Sequence, residues 1–176
     1  MSKMIKKLKD AIVSTDPTQK KHRVQHRKGV WEKAPDFVKE CKFCRKIRED
    51  QVIFENEHIA VVLGRQHHKG HLVVATKKHI ENMFDLPEKA FDSYINDTVK
   101  MVKALDKVIQ PATVNLEYLD NWDFHVHWNV YPRFKDDPDY GNPPVIPPKG
   151  SKFKEYKMTD AELAAFKKEI KKMKLW

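Results

Sequence analysis

Residues 124 to 131, Phe-His-Val-His-Trp-Asn-Val-Tyr, carry two imidazoles and a carboxamide at every second position. That alternation is the period of a half-buried strand. It sends Phe124, Val126, Trp128 and Val130 to one face and His125, His127, Asn129 and Tyr131 to the other. Cβ atoms two residues apart on a strand are roughly 7 Å apart. The spacing is awkward for one shared metal and comfortable for two jobs, one imidazole as ligand or orienter and the next as nucleophile or base. A neutral imidazole nitrogen can attack phosphorus and form a phosphoramidate labile enough to pass the group on. The other ring nitrogen must then hold its proton against a fixed acceptor, often a backbone carbonyl. The anionic oxygens of a phosphate also need donors, for which Asn129, Asn121 in the preceding turn and His71 are the candidates.

The chain has two cysteines, Cys41-Lys-Phe-Cys44. With no export signal ahead of them a structural disulfide is not expected. The spacing fits a redox pair or half of a zinc site. No clear strand leads into the pair from a βαβ unit, as a redox motif would require. Zinc would need two further ligands from His or a carboxylate. There is no Walker loop and no glycine-rich dinucleotide motif.

The surrounding pattern supplies a scaffold. Val52-Ile-Phe54 and His58 to Leu63 read as strands joined by the turn Glu55-Asn-Glu57, and His71 to Thr76 as a third strand after a polar loop from Gly64 to Gly70. Asp85-Leu-Pro-Glu88 predicts the start of a helix capped by Asp85. Its buried stripe is predicted to be Phe91, Ile95, Thr98, Val102, Leu105 and Ile109. Val114 to Leu119 is a fourth strand and the opening stretch a fifth. Thr159-Asp-Ala-Glu162 is a capping box before a helix with Leu163, Phe166, Ile170 and Met173 on one side. Five strands with one long helix between the third and fourth predict an α+β fold with a mostly antiparallel sheet, plus a C-terminal helix.

At 176 residues the chain is long enough for one real core with appendages. Its formal charge is +9, and residues 1–48 hold 15 Lys/Arg against 5 Asp/Glu, a net of +10. The basicity therefore belongs to an N-terminal arm, which includes a short amphipathic stretch over 1–13 and could attract nucleic acid or simply be solvated. We expect an arm over 1–39, a compact domain over 40–140, and a Pro-rich segment with its helix over 141–176. No apolar run approaches the roughly 20 residues of a membrane span, so a cytoplasmic location is expected.

Taken in order, Cys41-x-x-Cys44 with Phe43 between, Phe54-Glu-Asn-Glu-His58, Gly70-His71-Leu-Val-Val, Lys78-His79, Asn115 and His125-Val-His127-Trp-Asn129-Val-Tyr-Pro132-Arg133 resemble the histidine triad (HIT) superfamily of nucleotide hydrolases and transferases. The resemblance covers roughly residues 40–140. It implies that His127 is the nucleophile toward the α-phosphate of a nucleoside phosphoryl substrate, forming a nucleotidyl-histidine. It implies a supporting role for His71, substrate contacts for Asn115, Asn121 and Asn129, structural zinc on Cys41, Cys44, His79 and His125, and a symmetric homodimer.

The chain also departs from the pattern. Asn129 stands where the triad has its third histidine, although a carboxamide also occurs there in the transferase branch. Leu119-Asp-Asn-Trp-Asp-Phe124 replaces the usual phosphate-binding turn, and the ribose-binding Asp falls near Leu63 or Gly64. The function expected is cleavage of a dinucleoside polyphosphate or nucleoside phosphoramidate. The alternatives are nucleotidyl transfer or phosphorolysis through the same intermediate, and nucleotide or nucleic-acid binding with little turnover.

Overall fold

A computed structural model of the chain describes residues 34–49, 52–119, 123–148 and 151–173. The helix expected over 1–13, most of the basic arm and Asn121 lie outside the described residues. The elements in order are α1 (Lys42–Arg48), β1 (Val52–Glu55), β2 (Ile59–Leu63), β3 (Leu72–Thr76), α2 (Glu88–Ile109), β4 (Thr113–Glu117), β5 (His127–Arg133) and α3 (Asp160–Lys172). The strands form one sheet in the order β1-β2-β3-β5-β4, and every neighbouring pair is antiparallel. The α+β class with a five-stranded sheet and a long helix between β3 and β4 is therefore as expected.

Burial on both faces explains the apolar runs Ile59-Ala-Val-Val-Leu63 and Leu72-Val-Val-Ala-Thr76, which do not alternate. One face of the sheet, with Ile59, Val61, Leu72, Val74 and Val130, packs against α2 and α3 in the main core. The other face, with Val62, Val73 and Ala75, packs against Phe43 of α1. Side chains of directly paired residues share a face. His127, opposite Ala75, and Asn129, opposite Val73, therefore belong to the second face. Ala34 also joins the main core, and Pro35 accepts a hydrogen bond from the His79 amide at 2.8 Å, so packing begins upstream of Cys41.

Two local expectations are corrected. Asp85 does not cap α2: it closes a 3-10 turn over Met83–Asp85, and Pro87 takes the cap position with no side-chain hydrogen bond. The buried stripe of α2 is also rotated. Ala90, Tyr94, Asp97, Thr98, Met101, Leu105 and Ile109 are buried, whereas Phe91 is exposed and Ile95 and Val102 are half-buried. Polar anchors set this rotation. The Tyr94 hydroxyl donates to the Val74 carbonyl at 2.9 Å, and Asn56 donates to Asp97 at 2.7 Å. Apolar spacing alone does not register either bond.

The fifth strand begins at His127, three residues later than the alternation suggests. His125 and Val126 instead cross toward the chain after β3. The Val126 amide donates to the Ile80 carbonyl at 2.7 Å, and the Thr76 amide donates to the Val126 carbonyl at 3.0 Å. At α3 the capping box forms as expected, with Glu162 N donating to Thr159 Oγ1 at 3.2 Å and Thr159 N to Glu162 Oε2 at 2.7 Å.

Candidate active site and metal centre

His127 stands at the head of β5, mostly buried, with its ring centroid 4.5 Å from that of Phe43. Its Nδ1 lies 2.6 Å from the carbonyl oxygen of His125. A carbonyl can only accept, so Nδ1 carries the proton and Nε2 is the basic nitrogen of the ring. This is the tautomer that attack on phosphorus requires. The bend that ends regular pairing before His127 is what turns the His125 carbonyl toward the ring.

Beside it, Asn129 meets His71. His71 Nδ1 is 2.8 Å from the Arg65 carbonyl, and Nε2 is 3.2 Å from the Asn129 carboxamide. Burial pushes the His71 pKa down to about 4, so the ring is neutral near pH 7. With Nδ1–H committed to Arg65, Nε2 can only accept, so the carboxamide, placed with Oδ1 at 3.2 Å from Nε2, must turn over to present its amide nitrogen. Both nitrogens of His71 are therefore engaged, and it orients Asn129 instead of donating to phosphate itself. Tyr131 stacks on His71 at 4.1 Å between centroids. Gly64 lies under the same ring: a Cβ there would stand 2.4 Å from His71 Cε1 and Nδ1. The backbone where the resemblance places a ribose-binding Asp is thus committed to packing His71.

Cys41, Cys44, His79 and His125 converge, although they come from α1, the chain after β3 and the approach to β5. Their ligand atoms all lie within 4.8 Å of one another, so the cluster could hold a metal ion. Cys41 Sγ is 3.3 Å from His125 Nδ1, and Cys44 Sγ is 3.5 Å from His79 Nδ1 and 3.7 Å from His125 Nδ1. A tetrahedral site with ordinary metal–sulfur and metal–nitrogen lengths has S···N edges of about 3.5 Å. The remaining ring nitrogens face oxygen, His125 Nε2 at 2.7 Å from the Thr76 carbonyl and His79 Nε2 at 3.6 Å from Glu81. Such partners hold the Nδ1 lone pairs toward a metal. The hydrogen bond from Cys44 lowers the pKa of Cys41, and the same contact raises that of Cys44. The pair therefore offers one thiolate and one proton for a metal to displace.

The sequence named Arg133 only as the end of the motif, and gave no role to His68, Asp137 or Asp139. Arg133, 1% exposed, donates to Asp137, Asn115, Asp139 and the carbonyls of Asn142 and Asp139. Asn115, expected at the substrate, thus accepts from Arg133 at 2.8 Å. His68 Nε2 lies 2.9 Å from Asp139. His68, Asp137 and Asp139 could resemble a second cation site, but the guanidinium already balances both carboxylates. The adjacent His67-His68 pair in a short loop was the available signal. Asp123, one of two acidic residues that could repel a phosphate, turns to Lys42 at 3.4 Å.

Comparison with known proteins identifies the family. The HIT domain model matches residues 45–136, and the chain belongs to that family. It is 28% identical over 110 residues to the hit protein of Bacillus subtilis, covering 57% of this chain and 76% of that protein. An uncharacterized HIT-like protein of Methanocaldococcus jannaschii is 29% identical over 105 residues, covering 55% of this chain and 81% of the relative. Among solved structures, a zinc-bound histidine triad family protein from Mycobacterium smegmatis superposes with a TM-score of 0.58 at 19% identity, over 76% of this chain and 95% of the other. At that identity the likeness concerns the fold. Members of the family generally bind nucleotides as hydrolases or transferases. No helix among the described residues is long and apolar enough to cross a membrane.

Proposed function

We propose that the chain is a nucleotide phosphohydrolase that cleaves at the α-phosphate of a dinucleoside polyphosphate or nucleoside phosphoramidate through a nucleotidyl-histidine. The observation that carries this reading is the 2.6 Å contact between His127 Nδ1 and the His125 carbonyl. Nε2 attacks phosphorus, a P–N bond forms, and the bond to the leaving group breaks with its electron pair. Water then attacks the same phosphorus, the histidine leaves, and a nucleoside monophosphate is released. Asn129, held by His71, keeps an amide hydrogen and a carbonyl for the phosphoryl group and its neighbour. Asn121 is assigned to the phosphate by resemblance.

Zinc is the metal proposed for Cys41, Cys44, His79 and His125, since two thiolates and two imidazoles at tetrahedral edges suit it. All four positions are taken by protein, so such an ion would be structural and would fix the His125 backbone that orients His127. A second reading, transfer of the nucleotidyl group to phosphate or a sugar phosphate, is favoured by the carboxamide at Asn129, which cannot activate water by taking its proton. A homodimer is also proposed, with a second copy covering the apolar flank left open at Phe84, Phe91 and Val99.

The test is incubation with α-labelled diadenosine polyphosphate and an adenosine phosphoramidate, wild type against His127→Ala. Label should be trapped on quenched wild-type protein, and both label and monophosphate should be absent with the variant. Equal turnover by the two proteins would remove the nucleophile assignment.

A further inference from the structure

Departure of an amine or an alkoxide from phosphorus needs a proton, and Asn129 has none to give. His71 cannot supply it either, because burial keeps the ring neutral and its Nδ1 proton is bound to Arg65. On β4, however, Glu117 is the register partner of Asn129, with its side chain on the same face of the sheet. Directly opposite Cβ atoms are about 5 Å apart and diagonal ones about 7–8 Å. Glu117 is therefore next to Asn129 and one diagonal step from His127. That separation suits a nucleophile and an acid on opposite sides of an in-line phosphoryl transfer.

Glu117 also lines a cavity of about 440 Å³ together with Asn115, Arg133, Tyr140 and Asn142. Arg133 is the cation in that wall, and its guanidinium is already committed to Asp137, Asp139, Asn115 and Asn142. With the Asn115 and Asn142 oxygens taken by Arg133, the wall offers the Glu117 carboxyl and no open positive charge. It suits a leaving group bearing N–H or O–H and opposes a polyphosphate.

We propose that Glu117 is the proton donor to the leaving group, which sits in the cavity beside β4. The proposal rests on His127 being the nucleophile. As His127 Nε2 bonds to phosphorus, the leaving nitrogen or oxygen takes the electron pair and the Glu117 proton, leaving a carboxylate. That carboxylate takes a proton from the incoming water in the second step and the acid is restored. Burial, the first of its causes, raises the pKa of Glu117, while Arg133 and His68 pull it down. Tyr131 on β5 is the other titratable group coupled to it.

The experiment compares two substrates that share the adenylyl group. One is an adenosine phosphoramidate of an unactivated alkylamine, whose departure needs a proton. The other is the p-nitrophenyl ester of AMP, whose departure does not. Glu117→Gln should lower kcat/KM, which reports only the departure of the leaving group, about 100-fold on the first and less than threefold on the second. Glu117→Asp should recover part of the loss on the amine. An equal fall on both substrates makes Glu117 structural and overturns the proposal, as does no fall on either. Turnover of the ester that His127→Ala abolishes sustains the nucleophile whatever Glu117 does. Failure of wild type to turn over the ester removes both assignments.

Discussion

Gly64 and His71 fit so closely that a methyl group on the first would overlap the ring of the second, with 2.4 Å from the added Cβ to two ring atoms. The pair is joined as well by the Gly64 amide, which donates to the His71 carbonyl at 2.9 Å. Gly64→Ala is therefore expected to cost about 1–3 kcal/mol by overpacking. It should also displace His71 from Arg65 and release Asn129, lowering kcat more than KM. A double-mutant cycle checks the cause. In a His71→Ala background the added methyl should cost almost nothing, and a cost that persists there places the strain elsewhere.

Loading of the metal cluster is open to direct measurement. Purified protein should carry one equivalent of zinc, and Cys44→Ser should carry none. Stripping the metal should lower the thermal midpoint by roughly 10 °C, because bound metal stabilises only the folded chain. Activity should fall with metal content, since His125 offers Nδ1 to the cluster and its carbonyl to His127. Full activity at zero zinc by elemental analysis would detach the two sites.

Acid should weaken the fold through His71. Its folded pKa is pushed down to about 4, while an unfolded histidine titrates near 6.5. Between those values the unfolded chain binds more protons, so stability rises with pH across that window. The contribution is complete above pH 6.5 and is lost as pH falls to 4, amounting to about 3 kcal/mol at about 1.4 kcal/mol per unit. Urea midpoints from pH 7 to 4.5 should therefore drop less steeply for His71→Gln than for wild type. Parallel curves would assign the acid sensitivity to other groups.

Arg133→Ala should be among the most damaging single changes, because Asp137, Asp139, Asn115 and two carbonyls lose a shared donor in a buried site. About 3–5 kcal/mol is expected from the chemical denaturation midpoint. Lysine should rescue little, since a single ammonium cannot reproduce the planar fork. A Lys variant as stable as wild type would show that charge alone suffices.

Much of the fold was legible because apolar runs and turn residues carry strand and helix signals over short distances. Of the metal-cluster residues, Cys41-x-x-Cys44 was legible as a local pattern awaiting two ligands, and His79 and His125 were named only through the family resemblance. The rotation of α2 was not legible, since it depends on the Tyr94 hydroxyl finding the Val74 carbonyl across the core. The Asp85 cap failed for a similar reason: Asn82 donates to its carboxylate at 3.2 Å in a competing 3-10 turn. Glu117 was invisible for want of register. Nothing in the sequence says that it faces Asn129 until β4 and β5 are paired.

Glu162 completes the capping box of α3 and also accepts from Lys69 at 2.6 Å, in the loop that carries His67, His68 and His71. The Tyr156 amide, ahead of that helix, donates to the Gln66 carbonyl at 2.7 Å in the same loop. The tail beyond residue 136 therefore acts as a splint on the histidine loop. A shortened protein ended at residue 136 would keep every proposed catalytic group and metal ligand, but the loop that braces Asn129 through His71 would lose its outer support. Fraying of α3 would be felt as a looser carboxamide 30 residues upstream of Thr159, which makes the far end of the chain a tuning peg for the site.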